Sequence, residues 1–84
     1  MPATHEQIRE FLDSPDWTRG EKFIIQWQFG LFGDFRTALM DAIRSADEVN
    51  LRLLYRGFPD EVQAFRQWAY GDLGKRLRAA GLGI

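Results

Sequence analysis

Phe23-Ile24-Ile25-Gln26-Trp27-Gln28-Phe29-Gly30-Leu31-Phe32-Gly33-Asp34-Phe35 crowds large apolar and aromatic residues on both sides of Gly30 and contains no Lys or Arg. A segment of this kind has to be buried, either in the chain's own core or against another protein. Two periods run through it. Phe23, Ile25, Trp27 and Phe29 alternate with Gln26 and Gln28, the pattern of a strand. Phe23, Trp27, Leu31 and Phe35 recur every fourth residue, the pattern of a helix face. No other segment offers a convincing strand partner, and a lone strand leaves its backbone donors and acceptors unsatisfied. The helix is therefore the favoured reading. Residues 22–30 remain the ambiguous stretch, with a strand requiring a partner across a dimer or a second strand elsewhere. Gly30 and Gly33, three apart, read as packing or hinge positions.

Outward from this run the chain reads as helices. Thr4 and Gln7 have capping-box spacing, and Ile8, Phe11 and Leu12 follow as one apolar stripe. The spacing predicts a helix over 4–13, ending where Ser14 precedes Pro15. Residues 14–20 carry turn chemistry; Pro15 or Asp16 is placed to start another helix with Ser14 as its cap, and Gly20 disfavours a long continuation. Asp34 is placed to cap a helix whose stripe is Phe35, Ala38, Leu39, Ala42, Ile43 and Ala46. Asp47 is placed to cap the next, with Val49, Leu51, Leu53, Leu54 and Tyr55. Gly57 and Pro59 mark its end and the start of another helix, with Asp60 and Glu61 in the first turn and Val62, Phe65, Trp68 and Ala69 on its buried side. Gly71 breaks that helix. Asp72 caps a last one with Leu73, Leu77 and Ala80, closed by Gly81. The expected fold is all-α: a compact bundle of about five short helices in a single domain over residues 1–84. Its expected core is Ile8, Phe11, Leu12, Phe23, Trp27, Leu31, Phe35, Leu39, Ile43, Leu54, Val62, Phe65, Trp68 and Leu77.

Composition narrows the function classes. The 84 residues include no Cys and one His, so disulfides and Cys-ligated zinc are excluded. With twelve aromatic rings, a small core is supplemented by ring area or by oligomerisation, and a homodimer is one expectation. A net charge of −1 excludes the strongly basic balance of a dedicated nucleic-acid binder. Residues 65–84 carry Arg66, Lys75, Arg76 and Arg78 against Asp72, a basic end on a mildly acidic body. Such charges also complement the C-terminal end of a helix dipole. No apolar stretch reaches the roughly 20 residues of a membrane span, and the N-terminus lacks signal-peptide features. A cytoplasmic protein without membrane contact is expected.

The residues contain no catalytic constellation. His5 is isolated near the terminus, and Ser14 and Ser45 lack the setting of a nucleophile. The carboxylate pairs Asp13/Asp16, Asp47/Glu48 and Asp60/Glu61 lie at expected helix ends, where capping accounts for them. No enzyme, cofactor or metal is indicated. Trp17, Phe29, Phe32 and Tyr70 fall off the apolar stripes as surplus rings, and rings with Arg dominate interface energetics. The partner-binding candidates are Trp17, Phe32, Arg36, Tyr55, Arg56 and Tyr70. The alternative, a nucleic-acid contact, uses Lys75, Arg76 and Arg78 of the basic C-terminal helix.

The segments Gln26-Trp27-Gln28-Phe29-Gly30-Leu31-Phe32-Gly33, Ser45-Ala46-Asp47-Glu48 and Gly57-Phe58-Pro59-Asp60-Glu61-Val62 resemble a family of short proteins found among phage and prophage genes, as does the tail Gly71-Asp72-Leu73 through Leu82. The resemblance spans about residues 20–83, and its motifs carry no defined activity. It implies a role in the phage–host contest. Small cysteine-free phage accessory proteins often act as stoichiometric binders of a host defence complex, as anti-CRISPR proteins do. On that reading the partner is a host protein or defence complex. A nucleic-acid-associated accessory protein and a virion assembly protein are the alternatives.

Overall fold

The computed structural model describes residues 4–83. Among them are six α-helices and no strand: α1 His5–Asp13, α2 Arg19–Gln28, α3 Asp34–Ser45, α4 Glu48–Gly57, α5 Pro59–Tyr70 and α6 Leu73–Ala79. The fold is all-α as expected, with one helix more than the anticipated five. Residues 22–30 are helix through Gln28 rather than strand.

Local chemistry sets most of the helix ends. The Gln7 N–H donates to Thr4 Oγ1 and the Thr4 N–H to Gln7 Oε1, closing a capping box on α1. A second box, which escapes the sequence reading, starts α2: the Glu21 N–H donates to Thr18 Oγ1 at 3.1 Å and the Thr18 N–H to Glu21 Oε1 at 2.8 Å. It carries the helix through Gly20, the residue expected to weaken it. Asp47 Oδ1 accepts from the Asn50 N–H at the start of α4. Phe58 ends α4 and precedes Pro59 at the start of α5. Asp72 precedes α6 but makes no capping hydrogen bond; its carboxylate accepts from Arg76 Nε instead.

Gly30 and Gly81 have φ of +66° and +104°. At each, the glycine N–H and the next N–H donate back into the preceding helix, Gly30 to Trp27 and Leu31 to Gln26, Gly81 to Arg78 and Leu82 to Leu77. This is the paired-bond termination that a left-handed residue permits. Gly30 is therefore a helix stop. Neither it nor Gly33 admits a close neighbour, since a Cβ at either would meet nothing within 4 Å.

That stop corrects the expected core. The i, i+4 series from Phe23 does not continue, because the chain changes direction at Gly30. Leu31 and Phe35 consequently stand in solvent, Phe35 at 66% exposure. The α3 stripe is displaced as well: Leu39, Met40 and Ile43 are buried, while Ala38 and Ala42 are exposed. Trp17, Phe29 and Phe32, expected as surplus rings, are half-buried against the core. The Phe11 and Trp17 rings lie 5.5 Å apart, and the Phe23 and Phe32 rings 4.8 Å apart. Ile24, Ile25, Leu51, Leu73 and Leu82 join the core without having been expected there. Each fully buried aliphatic of this size contributes about 1.5–3 kcal/mol.

The closest helix pair is α2 with α5, and α4, α6 and α1 gather on these two. Gly20 makes the α2–α5 approach. A Cβ built on it would lie inside contact range of the Asp60 carbonyl oxygen and 3.0 Å from the Ala64 Cβ. On the far part of the pair, Trp27 meets Trp68 edge-on at 6.2 Å. By contrast, α3 belongs to none of the close backbone pairs and is held by its side chains.

Candidate interaction surface

Helix α3 is in none of the closest helix pairs, and grooves run along its flanks. The larger, about 590 Å³, lies among α2, α3 and the start of α5. Phe23, Leu39 and Phe58 supply apolar walls, and the exposed Phe35 ring stands beside Phe58 at 6.1 Å. Arg19, Lys22 and Arg36 line the same groove, together with Glu61. No hydroxyl, thiol or imidazole does so. The second groove, about 500 Å³, runs between α3 and α4. Ala42, Ala46, Leu53, Leu54 and Phe58 line it, with Ser45, Asn50 and Gly57.

Phe58 belongs to both grooves and so joins them. Leu53 is 54% exposed at the edge of the second groove, and Val49, one helical turn before it on α4, is 66% exposed. Exposed apolar side chains thus flank the half-buried Phe58 on both sides, Val49 and Leu53 on α4 and Phe35 on α3.

The electrostatics of the larger groove come from its first-turn residues. Glu61 is 5% exposed, yet its carboxylate stays paired, with Oε1 3.4 Å from Arg19 Nη2. Arg36 Nη1 donates to the neutral Gln26 Oε1 at 2.6 Å, which orients the guanidinium without cancelling its charge. Lys22 has no ion pair among the described residues.

Of the six partner-binding candidates, only Arg36 lines either of these grooves. Trp17 and Phe32 are turned inward, as above. Tyr55 and Arg56 are exposed on α4, and Tyr70 is exposed at the end of α5. No groove described here is lined by more than one of these six residues. On α6, Lys75 is exposed, but Arg76 is engaged: its Nη1 donates to Glu21 Oε2 at 2.9 Å and its Nε to Asp72 at 3.3 Å. The Glu21 carboxylate, largely buried, raises the Arg76 pKa, so this cation is committed to tying α6 to α2. The Arg78 guanidinium lies over Gly74, close to where a Cβ would sit.

The groove residues Phe35, Phe58, Leu53, Arg19, Lys22 and Glu61 are not among the partner-binding candidates expected from the sequence, which assigned Phe35 to the core and Glu61 to a helix-end carboxylate pair. One signal for the cations was available. Arg19, Lys22 and Arg36 all fall in the first turns of helices, where positive charge opposes the macrodipole. No group of three or more His, Cys, Asp or Glu side chains among the described residues is arranged to hold a metal ion. No described helix is long and apolar enough to cross a membrane. Compared with known proteins, the chain matches no family model, no curated protein and no solved structure.

Proposed function

We propose that this chain is a non-enzymatic protein-binding module that acts by stoichiometric occupation of a partner's surface. The observation that carries the proposal is the set of exposed apolar side chains Val49, Leu53 and Phe35, of which Leu53 and Phe35 line two grooves that share the half-buried Phe58. Exposed apolar side chains grouped beside a groove, rather than scattered singly, mark an interaction site. The resemblance of residues 20–83 to short phage and prophage proteins supplies the class of partner: a host protein, most concretely a subunit of a bacterial defence complex held as an anti-CRISPR protein would hold it. The basic C-terminal helix lends less support to nucleic-acid binding, because Arg76 is spent on Glu21 and Asp72.

The test is an affinity pull-down of the tagged chain from nuclease-treated bacterial lysate, run beside Leu53→Asp and Val49→Asp. Both positions are exposed, so neither substitution disturbs the core. The expected result is a defence-complex subunit recovered in stoichiometric amount with the wild type and depleted at least tenfold with either variant. Recovery unchanged by both substitutions, or no protein retained at all, refutes the proposal.

A further inference from the structure

We infer that the groove among α2, α3 and the start of α5 is a receptor for an acidic peptide segment of a partner protein, one that carries a bulky apolar side chain. The inference rests on the protein-binding reading and names the chemistry that the groove selects.

Charge complementarity carries it. Three cations line this groove against one carboxylate, in a chain whose net charge is −1. Folding has therefore concentrated positive charge here while the remainder of the molecule is negative. The single acid is not free to oppose a ligand's charge. Glu61 is buried and faces Arg19, whose own side chain is 78% exposed. The pair engages the Arg19 guanidinium at Nη2, so the unbalanced positive charge of the groove is that of Lys22 and Arg36. Arg36 is steadied by a neutral amide, and Lys22 has no ion pair among the described residues. Helix stability does not account for cations in these first turns, because the macrodipole disfavours them there by about 0.3–1 kcal/mol each.

Size and wall chemistry narrow the ligand. The volume of about 590 Å³ falls within the usual range of roughly 300–1,000 Å³ for small-ligand sites, enough for one large side chain and its backbone. Phe35 and Phe58, whose rings are in contact at 6.1 Å, provide an apolar wall, and the cations lining the same groove match carboxylates that flank an apolar residue laid against it. A nucleic-acid strand fits less well. Phe23 is 4% exposed and Phe58 half-buried, so Phe35 alone presents an open face, where a single strand needs successive stacking platforms.

The experiment is selection of a random peptide display library against the immobilised full chain. Binding of the recovered peptides is then measured on the wild type, on Lys22→Glu/Arg36→Glu, on the milder Lys22→Gln/Arg36→Gln, and on Lys75→Glu as a charge change outside the groove. Thermal melts confirm that each variant is folded. The expected result is enrichment of Asp and Glu around an aromatic residue or Leu. Affinity should fall at least tenfold on both groove variants, stay unchanged on Lys75→Glu, and weaken with added salt. Four outcomes overturn the inference. Peptides without acidic bias that lose binding on Leu53→Asp but not on the groove variants leave the protein-binding reading standing and place the site between α3 and α4. A single-stranded oligonucleotide retained by the wild type and released by the groove variants makes the groove a nucleic-acid contact. A sedimentation dimer that dissociates on charge reversal makes the occupant a second copy of this chain. No enriched peptide at all removes the groove and weakens the broader reading with it.

Discussion

Gly20→Ala isolates the contact on which the bundle is built, and here the sign of the effect is the diagnostic. In an ordinary helix interior, Gly→Ala stabilises by about 0.5–1 kcal/mol, because the unfolded chain loses more freedom at glycine. At Gly20 the new methyl would collide with the Asp60 carbonyl oxygen and press on Ala64 at 3.0 Å. The obstacle is backbone in the first turn of α5, not a flexible side-chain end, so the α2–α5 pair must move apart as a unit. Overpacking of this kind costs about 1–3 kcal/mol. With the upper part of that range opposed by the propensity gain, we expect a net loss of about 1–2 kcal/mol. For a domain of this length about 1 kcal/mol corresponds to roughly 4–8 °C, so the Tm should fall by about 4–16 °C. Thermal unfolding followed by far-UV circular dichroism measures it. Gly57→Ala is the control, because a Cβ there meets nothing within 4 Å and φ is not left-handed. That variant should be neutral or slightly more stable. A Gly20→Ala protein at least as stable as the wild type would refute the close α2–α5 crossing.

Further outcomes are expected elsewhere in the molecule. Glu21→Gln keeps the capping box, since glutamine serves the same position, but removes the charge facing Arg76. It should cost about 0.2–1 kcal/mol in urea unfolding, and a double-mutant cycle with Arg76→Ala should show the two losses to be coupled rather than additive. The Arg66 guanidinium, hydrogen-bonded to Glu48, holds that carboxyl below its ordinary pKa. Its contribution is therefore complete above the ordinary carboxylate pKa and is lost as pH falls through the lowered folded value. The stability difference between wild type and Glu48→Gln, small at neutral pH, should vanish in acid; a difference that grows in acid would contradict the pairing. Because α3 is absent from the close backbone pairs, its amides should show at least about tenfold less hydrogen-exchange protection than those of Ile24 and Val62. Equal protection would mean that α3 opens only with the whole domain.

What was legible in the sequence was local. Thr4 with Gln7, Asp47, the Gly57-Phe58-Pro59 junction and Gly81 mark helix ends through interactions within a few residues, and each marks one in the structure. The all-α class followed from the absence of a partner for a strand at 22–30. Thr18 with Glu21 carries the same signal for α2, opposed in the sequence by Gly20, a poor helix former. The face that each helix turns inward was decided only by tertiary structure. Periodicity assigns Leu31 and Phe35 to the stripe of Phe23 as long as the helix continues, and the left-handed turn at Gly30 discards them. The same holds for the candidate surface. Arg19, Lys22, Arg36 and Glu61 belong to three helices and acquire a common groove only when α2, α3 and α5 meet. Caps and stops depend on neighbours along the chain, so a sequence records them directly. A groove depends on distances between helices, which packing between residues far apart in the chain sets, as at Gly20 against Asp60 and Ala64.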